Sequence, residues 1–274
     1  MKFIEEDKIR EHFNNCSNMY DINNEKLYWK LSDTILWNII DKHLPRDKKF
    51  NFLDIGGGTG EWTHKILIKY PLAHATIIDF SSGMLKQARK KLFKFKNRIS
   101  IIEKDIKDVE TNEKYDFIIN IYFLPFFEDL DYLYDFISSH LKEKGISISV
   151  AENYYNAMAL NILKGDISSI INLKKSHYGY LSKYVPALRF DKIDDLIRIH
   201  LSKNLKINEI YGFPVLSLIG VKEILSSNEN SITSVLENHF NEILNMELEH
   251  INNPNLINRG KYICVIGEKK WEKK

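Results

Sequence analysis

Apolar and polar positions follow two rhythms along the chain, a helical one at the beginning and a strand–helix repeat after it. Apolar residues recur at helical spacing between Leu27 and Ile40, and Pro45 with a charged stretch ends that helix. Short apolar runs then alternate with helical stretches, and the five runs cover residues 50–55, 75–80, 99–103, 115–123 and 145–152. Strands separated by helices in this way predict a parallel sheet with helices on both faces.

A segment rich in tyrosine interrupts the repeat after Glu152. Helix and strand patterns then return, with the two last strands at residues 205–213 and 260–269. We therefore predict one α/β domain, residues 1–274, with a doubly wound, seven-stranded, mostly parallel sheet of the Rossmann-like class. Residues 1–48 are predicted to form a helical cover, and residues 153–190 a lid inserted after the fifth strand.

The first strand runs into a loop, DIGGGTGEW, that has four glycines in five positions. A P-loop needs Lys and then Ser or Thr after its last glycine, whereas Glu61 and Trp62 follow here. In a dinucleotide fingerprint, Gly56 and Gly58 would supply the first two glycines, but the third position falls on Glu61, whose charge would face a pyrophosphate. Asp54 adds a second negative charge. The loop therefore favours a ligand that has little negative charge or carries a cation.

An aspartate stands at or just past the end of each of the first three predicted strands, where open α/β sheets bind ligands. Asp54 can accept a hydrogen bond from an ammonium group, Asp79 from both hydroxyls of a ribose, and Asp105 from an adenine amino group. S-adenosylmethionine (SAM) has a sulfonium, an ammonium and no phosphate, and it fits this pattern, although Asp79 alone would also suit NAD. The predicted cofactor-binding residues are Asp54, Gly56, Gly58, Gly60, Asp79, Phe80, Met84, Asp105, Ile106 and Asn120, with Tyr20 and Tyr28 from the helical cover.

Several segments resemble the class I SAM-dependent methyltransferases. LDIGGGTG (53–60) is similar to the first motif of that superfamily, and IIDFSSGML (77–85) to its second. Three later segments resemble a narrower group, which includes natural-product methyltransferases and the bacterial enzyme that methyl-esterifies 5-carboxymethoxyuridine in tRNA. These segments are AENYYNAMALNILKGD (151–166), YGFPVLSLIG (211–220) and LEHINNPNLINRGKYICVIGEK (248–269). The resemblance implies SAM as cofactor, S-adenosyl-L-homocysteine as product and methyl transfer as the activity.

The segment after the fourth strand, NIYFLPFFED, departs from the pattern of that group, which often has a polar residue or histidine followed by glycine there. The helical cover also lacks the arginine that the group often carries before the position of Trp37. A phenol, amide or hydroxyl acceptor usually needs a base, whereas a carboxylate needs none. The departure therefore favours an acceptor that is already nucleophilic, such as a carboxylate or an amine, or a base supplied by the lid.

The lid supplies the remaining candidates. His177 and Tyr178 are the predicted catalytic residues, because His177 is the best-placed base in the chain. The predicted substrate-binding residues are Tyr154, Tyr180, Tyr184 and Arg189; the aromatic rings would line the acceptor pocket, and the guanidinium would pair with an anionic group. The other histidines and the two cysteines show no metal-ligand spacing, and we predict no metal.

Charge and composition narrow the choice of partners. The 39 basic and 37 acidic residues leave a net charge of +2, lower than is usual for nucleic-acid binders. No apolar run approaches membrane-spanning length and the first residues are charged, so we predict a cytoplasmic protein that neither enters a membrane nor is secreted. The leading hypothesis is O- or N-methylation of a small molecule. The alternatives are a tRNA wobble-uridine methyltransferase and a non-catalytic SAM-binding protein; monomer and dimer both fit the sequence.

Overall fold

The computed structural model describes residues 5–21, 27–180, 185–217 and 232–271, without the side chains of residues 28 and 232–235. Tyr184, predicted to bind substrate, lies outside the described residues, and so does the side chain of Tyr28. No helix within these ranges is both long and apolar enough to cross a bilayer.

Seven strands form one sheet in the order β3-β2-β1-β4-β5-β9-β8, and the remaining two form a short hairpin. The strands are β1 (Phe50–Ile55), β2 (Ala73–Asp79), β3 (Ile99–Glu103), β4 (Tyr115–Asn120), β5 (Leu141–Glu152), β6 (Tyr178–Gly179), β7 (Leu188–Arg189), β8 (Leu205–Phe213) and β9 (Tyr262–Lys269). The first five sheet strands pair in parallel, and β9 runs antiparallel between β5 and β8. The predicted seven-stranded, mostly parallel sheet is confirmed.

Nine α-helices flank the sheet or cover its edge in the part of the chain that is described. They are α1 (Glu6–Cys16), α2 (Leu27–His43), α3 (Glu61–Lys69), α4 (Ser82–Lys91), α5 (Leu130–His140), α6 (Tyr154–Leu163), α7 (Ile167–Ser176), α8 (Ile193–Ser202) and α9 (Ile232–His250). Helices α6 and α7 form a helical hairpin within the predicted lid, and α1 and α2 lie within the predicted cover.

Side-chain alternation along the strands divides the apolar residues between two cores, one on each face of the sheet. Phe52 packs into the core that includes α2, α3 and α4, whereas its neighbour Leu53 packs into the core that includes α5 and α8. Both residues are fully buried. Because successive strand residues point to opposite faces, a strand buried on both sides reads as a continuous apolar run, which is how β1 could be recognised in the sequence.

The fourth strand is shorter than the apolar run 115–123 predicts. It ends at Asn120, because Tyr122 adopts a left-handed backbone conformation with φ 58° and a 3₁₀ turn with Pro125 follows. Proline lacks the N–H that would continue a strand ladder. The aromatic residues after Asn120 therefore lie in a loop at the carboxyl end of β4.

Candidate active site

A cavity of about 1170 Å³, its open mouth included, lies at the carboxyl ends of the parallel strands. Nine of the predicted cofactor-binding residues line it: Tyr20, Asp54, Gly56, Gly58, Asp79, Phe80, Met84, Asp105 and Ile106. Asn120 does not line it; this side chain is fully buried and donates a hydrogen bond to Ser149 Oγ at 2.9 Å. Gly60 also lies outside the lining, because its Cα faces Leu92 and α4.

The glycine loop lets the backbone turn against an aromatic wall. Gly56 has φ +69°, and its N–H donates to the Ile78 carbonyl at 2.7 Å. A Cβ at this position would lie 2.3 Å from Cδ2 of Phe123, which lines the same cavity. Glycine is thus required both by the conformation and by the close approach of the ring.

Asp54 is an acid buried at the floor of the cavity. Its side chain is 2% exposed, and Oδ2 accepts a hydrogen bond from Thr63 Oγ1 at 2.7 Å. Burial raises the pKa of Asp54 to about 7, and the Thr63 bond opposes the rise only in part. A buried carboxylate facing a cavity suits a cationic ligand group, because the cation would restore the charged form. This chemistry fits the ammonium group of SAM.

Asp79 has both carboxylate oxygens directed by backbone N–H groups. Gly58 N–H donates to Oδ2 at 2.9 Å, and Ser81 N–H donates to Oδ1 at 2.8 Å. Each oxygen keeps acceptor capacity, so the pair could receive two vicinal hydroxyls. Burial raises the pKa of this carboxyl, although the backbone hydrogen bonds counteract the rise. Asp105, after β3, accepts from Lys107 N–H at 2.9 Å and keeps its second oxygen for a ligand.

The charge of Glu61 is compensated within the protein. Lys91 Nζ lies 2.6 Å from one carboxylate oxygen and Lys65 Nζ 3.7 Å from the other, and Lys91 also pairs with Asp21 at 2.9 Å. Glu61 would therefore repel a bound phosphate less strongly than the sequence alone suggests. The electrostatic objection to phosphate rests instead on Asp54 and Asp79, neither of which has a cation within ion-pair distance among the described residues.

Helix α1 covers the cavity and is held there by both polar and aromatic contacts. Asn14 Oδ1 accepts from Ser81 Oγ and from Gly83 N–H, each at 2.9 Å. The Phe13 ring packs edge-to-face against Phe126 at a centroid distance of 5.0 Å, and both rings line the cavity. Sequence reasoning missed Phe13 because no motif marks it. The available signal was its helical spacing from Ile9, another residue of the lining.

A hydrogen-bonded pair, Asp33 and Tyr122, lines the cavity beyond Asp54. The Tyr122 hydroxyl donates to Asp33 Oδ1 at 3.2 Å. Burial raises the pKa of Asp33 to about 6, and the charge of Lys65 limits the rise. The strand order β3-β2-β1-β4 puts the site residues in a row along one edge: Asp105, Asp79, Asp54 and then Tyr122. The pair was missed because its members are 89 positions apart.

Two aromatic rings connect this pair to the half-buried side chain of Lys261. The Tyr262 ring lies 4.9 Å from that of Tyr122, and Lys261 Nζ lies 4.7 Å from the Tyr262 centroid and 4.4 Å from that of Trp29. Burial lowers the pKa of Lys261, and the charge of Glu152 opposes that fall. A half-buried lysine therefore lies one aromatic layer behind the cavity wall at its Tyr122 end.

The predicted catalytic residues lie elsewhere. His177 and Arg189 line a second cleft of about 920 Å³, its open mouth included, and Glu128 is the one described residue that it shares with the first cavity. Arg189 Nε donates to Asp191 Oδ1 at 2.7 Å. Tyr178 pairs with Arg189 across the two short strands β6 and β7, and it lines neither cavity. The structure thus does not bring His177 or Tyr178 to the cofactor cavity, and their catalytic role stays a prediction.

The remaining predicted substrate residues are divided between core and solvent. Tyr154 is buried in a small core with Leu173 and Phe190, and its ring packs against His177 at 5.0 Å. Tyr180 is 65% exposed and lines neither cavity. Substrate binding by these residues remains a prediction that the geometry does not support directly.

Comparison with known proteins identifies the type of domain. Residues 52–145 match the family described as "Methyltransferase domain". The chain is 25% identical to the malonyl-[acyl-carrier protein] O-methyltransferase of Priestia megaterium over 83% of this chain and 84% of that protein. An enzyme of the same name from Acetivibrio thermocellus is 29% identical over 52% of this chain and 48% of its own length. The chain thus spans about half the length of that second relative.

Solved structures share the fold along nearly the whole chain. The methyltransferase in the Haloferax volcanii complex with the Trm112 methyltransferase activator superposes with a TM-score of 0.63, covering 97% of this chain and 99% of that one at 13% identity. A SAM-dependent methyltransferase from Mesorhizobium loti gives 0.57, covering 87% and 100%, also at 13% identity. At such identities the likeness establishes the fold.

Proposed function

We propose that this chain, which belongs to the class I SAM-dependent methyltransferases and uses SAM as its cofactor, methylates a carboxylate oxygen of a small acyl acceptor to give a methyl ester. The observation that carries the proposal is the similarity to the Priestia megaterium O-methyltransferase, because it extends over 83% of this chain. A match of that length reaches beyond the methyltransferase domain at 52–145, into segments that cover the cavity and can select an acceptor.

The order of strands supports a separate role for each acid of the row. Asp105 would receive the adenine amino group, Asp79 the ribose hydroxyls and Asp54 the ammonium group. Bound SAM supplies an electrophilic methyl carbon on a positively charged sulfur. Because SAM would occupy the part of the cavity next to these three acids, the acceptor would bind at the end that Asp33 and Tyr122 line.

The protein's part in the transfer is to position the acceptor and to exclude water. One bond forms, between an acceptor oxygen and the methyl carbon, while the carbon–sulfur bond breaks and its electron pair stays on sulfur. A carboxylate gives up no proton in this step and so requires no base. The described residues that line the cavity include no histidine and no cysteine, a set that suits such an acceptor.

Charges around the Asp33–Tyr122 pair bear on the choice between a carboxylate and an amine. A carboxylate would be repelled by ionised Asp33, but the pKa of Asp33 of about 6 lowers the cost of neutralising it. Lys65 and Lys261 add positive charge on the same side of the cavity. The low cost of neutralising Asp33 supports a carboxylate acceptor that enters beside Tyr122, and the two lysines offset the charges of Glu61 and Glu152 on that side.

The test is to incubate the purified protein with methyl-labelled SAM and a malonyl thioester. An acetyl thioester, which has no free carboxylate, is the matched control, and an amine mixture and a tRNA fraction run in parallel. We expect label in the malonyl compound alone, released as volatile methanol in mild base, because methyl esters hydrolyse there and N-methyl groups do not. Label in tRNA alone, or label that is stable to base, would refute the proposal.

A further inference from the structure

The helical hairpin α6–α7 exposes an apolar surface on the side opposite its core. Fourteen large apolar side chains are exposed among the described residues, and five of them lie on α6 and α7. These five are Tyr155, Ile162, Leu163, Ile167 and Ile171, between 46% and 62% exposed. We call this set the hairpin patch. Clusters of this kind mark interaction sites more often than scattered apolar residues do.

Helical spacing and the turn at Gly165 bring the patch together. Tyr155 and Ile162 are seven residues apart on α6, and Ile167 and Ile171 are four apart on α7, so each pair shares one face of its helix. The Gly165 N–H donates to the Ile162 carbonyl at 3.0 Å, which closes the turn. Ile162 and Leu163 at the end of α6 and Ile167 at the start of α7 therefore lie on either side of this turn, and Ile171 follows one helical turn further along α7.

The inner face of the same hairpin is already used. Ala157 and Leu173 are buried in the lid core, and Phe126 packs against that core. Phe126 also lines the cofactor cavity. The helices thus bury one apolar face in the core and expose a second one, the hairpin patch. One helix layer, roughly 10 Å, separates this patch from the cavity wall.

The charge of the hairpin is positive. Residues 154–180 contain three lysines and a single acid, Asp166, whereas the whole chain is nearly balanced. The Asp166 carboxylate caps α7 by accepting from Ser169 N–H and Ser169 Oγ, at 3.0 and 2.7 Å. Lys174 and Lys175, in the last turn of α7, are exposed beside the patch. An apolar centre with a basic border is complementary to a partner that has an acidic, partly apolar surface.

We infer that the hairpin patch is the docking surface for an acidic carrier protein, which presents the acyl acceptor to the cavity on a flexible arm. The inference rests on the proposed function, since it names the partner that delivers the carboxylate. With the carrier bound on the outer face of α6–α7, its flexible arm would extend past the edge of the predicted lid towards the cavity. The acyl carboxylate would then reach the cavity at its Asp33–Tyr122 end.

The test compares two malonyl thioesters, one on an acyl carrier protein and one on free pantetheine, in the full chain. In the variant Ile167→Glu/Ile171→Glu, we expect KM for the carrier-borne thioester to rise about tenfold or more. The kcat/KM for the pantetheine thioester should stay within about twofold, since the patch does not line the cavity. The control is Ile68→Glu on α3, where the side chain is also 61% exposed and both substrates should be unaffected.

Charge is tested separately. Lys174→Glu/Lys175→Glu should raise KM for the carrier-borne thioester alone, and rising salt should weaken the wild type in the same selective way. If both thioesters are methylated and KM for the carrier form is unchanged in the isoleucine variant, the docking surface is refuted and the methylation activity stands. If neither thioester is methylated, the proposed function falls and the docking inference with it. If KM for the carrier form is unchanged but the isoleucine variant no longer self-associates or no longer binds vesicles, the patch is a contact between copies of the chain or with a lipid surface, and the carrier proposal is refuted.

Discussion

Replacing the buried acid of the cofactor site by its neutral isostere, Asp54→Asn, should stabilise the empty protein and weaken SAM binding. The folded pKa is about 7 against an ordinary value of 3.8. One pKa unit corresponds to about 1.4 kcal/mol, so the charged carboxylate lowers the free energy of unfolding by about 4 kcal/mol as an upper limit. Asparagine keeps an oxygen that can accept from Thr63 and removes the charge.

The sign with pH follows from the raised folded pKa. Well below the unfolded pKa of 3.8 both states are protonated, and wild type and variant should be equally stable. As the pH rises from about 4 to about 7, the unfolded state releases the proton while the folded state keeps it, so the advantage of the variant grows to at most about 4 kcal/mol and then stays constant above pH 7. Urea unfolding of the SAM-free proteins at pH 4, 6 and 8 measures this difference directly.

SAM binding should respond in the opposite direction. A hydrogen bond to a charged group contributes about 1.5–3 kcal/mol, so Asp54→Asn should raise the Kd for SAM roughly 10- to 100-fold near pH 8. Since Asp54 must be ionised to hold the ammonium, wild-type affinity should fall about tenfold between pH 8 and pH 6 relative to the variant. Calorimetric titration at both pH values measures the change in Kd. The amino group of SAM also titrates in this range, and comparison with the variant removes that contribution.

Asp41→Asn is the control for this reasoning. Burial raises the pKa of Asp41, but hydrogen bonds from Lys69 and Tyr70 outweigh it and leave the pKa below its ordinary value. Neutralising Asp41 should therefore destabilise the protein at neutral pH and leave SAM affinity unchanged. An unchanged Kd in Asp54→Asn would show that Asp54 does not hold a cationic ligand group. A lower stability than wild type at pH 8 would show that burial does not raise the pKa of Asp54.

Four further substitutions, of which Gly165→Ala is a control outside the cavity, test the remaining parts of the site. Asp79→Ala should weaken SAM binding on the order of 100-fold by calorimetry, and unchanged affinity would mean that Asp79 does not hold the ribose. Gly56→Ala and Gly165→Ala both place a side chain at positive φ, +69° and +68°. Gly165→Ala should lose about 1–2 kcal/mol in urea unfolding, and Gly56→Ala should lose more, because its Cβ would also lie 2.3 Å from Phe123. Only Gly56→Ala should also lose SAM binding, because its Cβ displaces Phe123 while that of residue 165 meets nothing within 4 Å. Asp33→Asn should lower KM for a carboxylate acceptor at pH 8, and a higher KM would favour an amine.

The row of acids could be predicted because it depends on local pattern and one rule of topology. Asp54, Asp79 and Asp105 each lie at or just past the end of a predicted strand, and parallel neighbouring strands place their carboxyl ends on one edge. The three residues do line one cavity. A purely local pattern also predicts a fourth strand that is too long. The apolar run does not reveal the left-handed turn at Tyr122.

The sequence by itself determined the fold class, the glycine loop and the order of the acids, because these follow from periodicity and from residues close to one another in the chain. Only the tertiary structure decided which distant groups meet. Lys91 neutralises Glu61 from 30 positions away, and Asp33 accepts from Tyr122 across 89. The lid's His177 lines a second cleft instead of the cofactor cavity. Contacts of that kind depend on how helices pack over the sheet, which no local pattern of apolar and polar residues specifies.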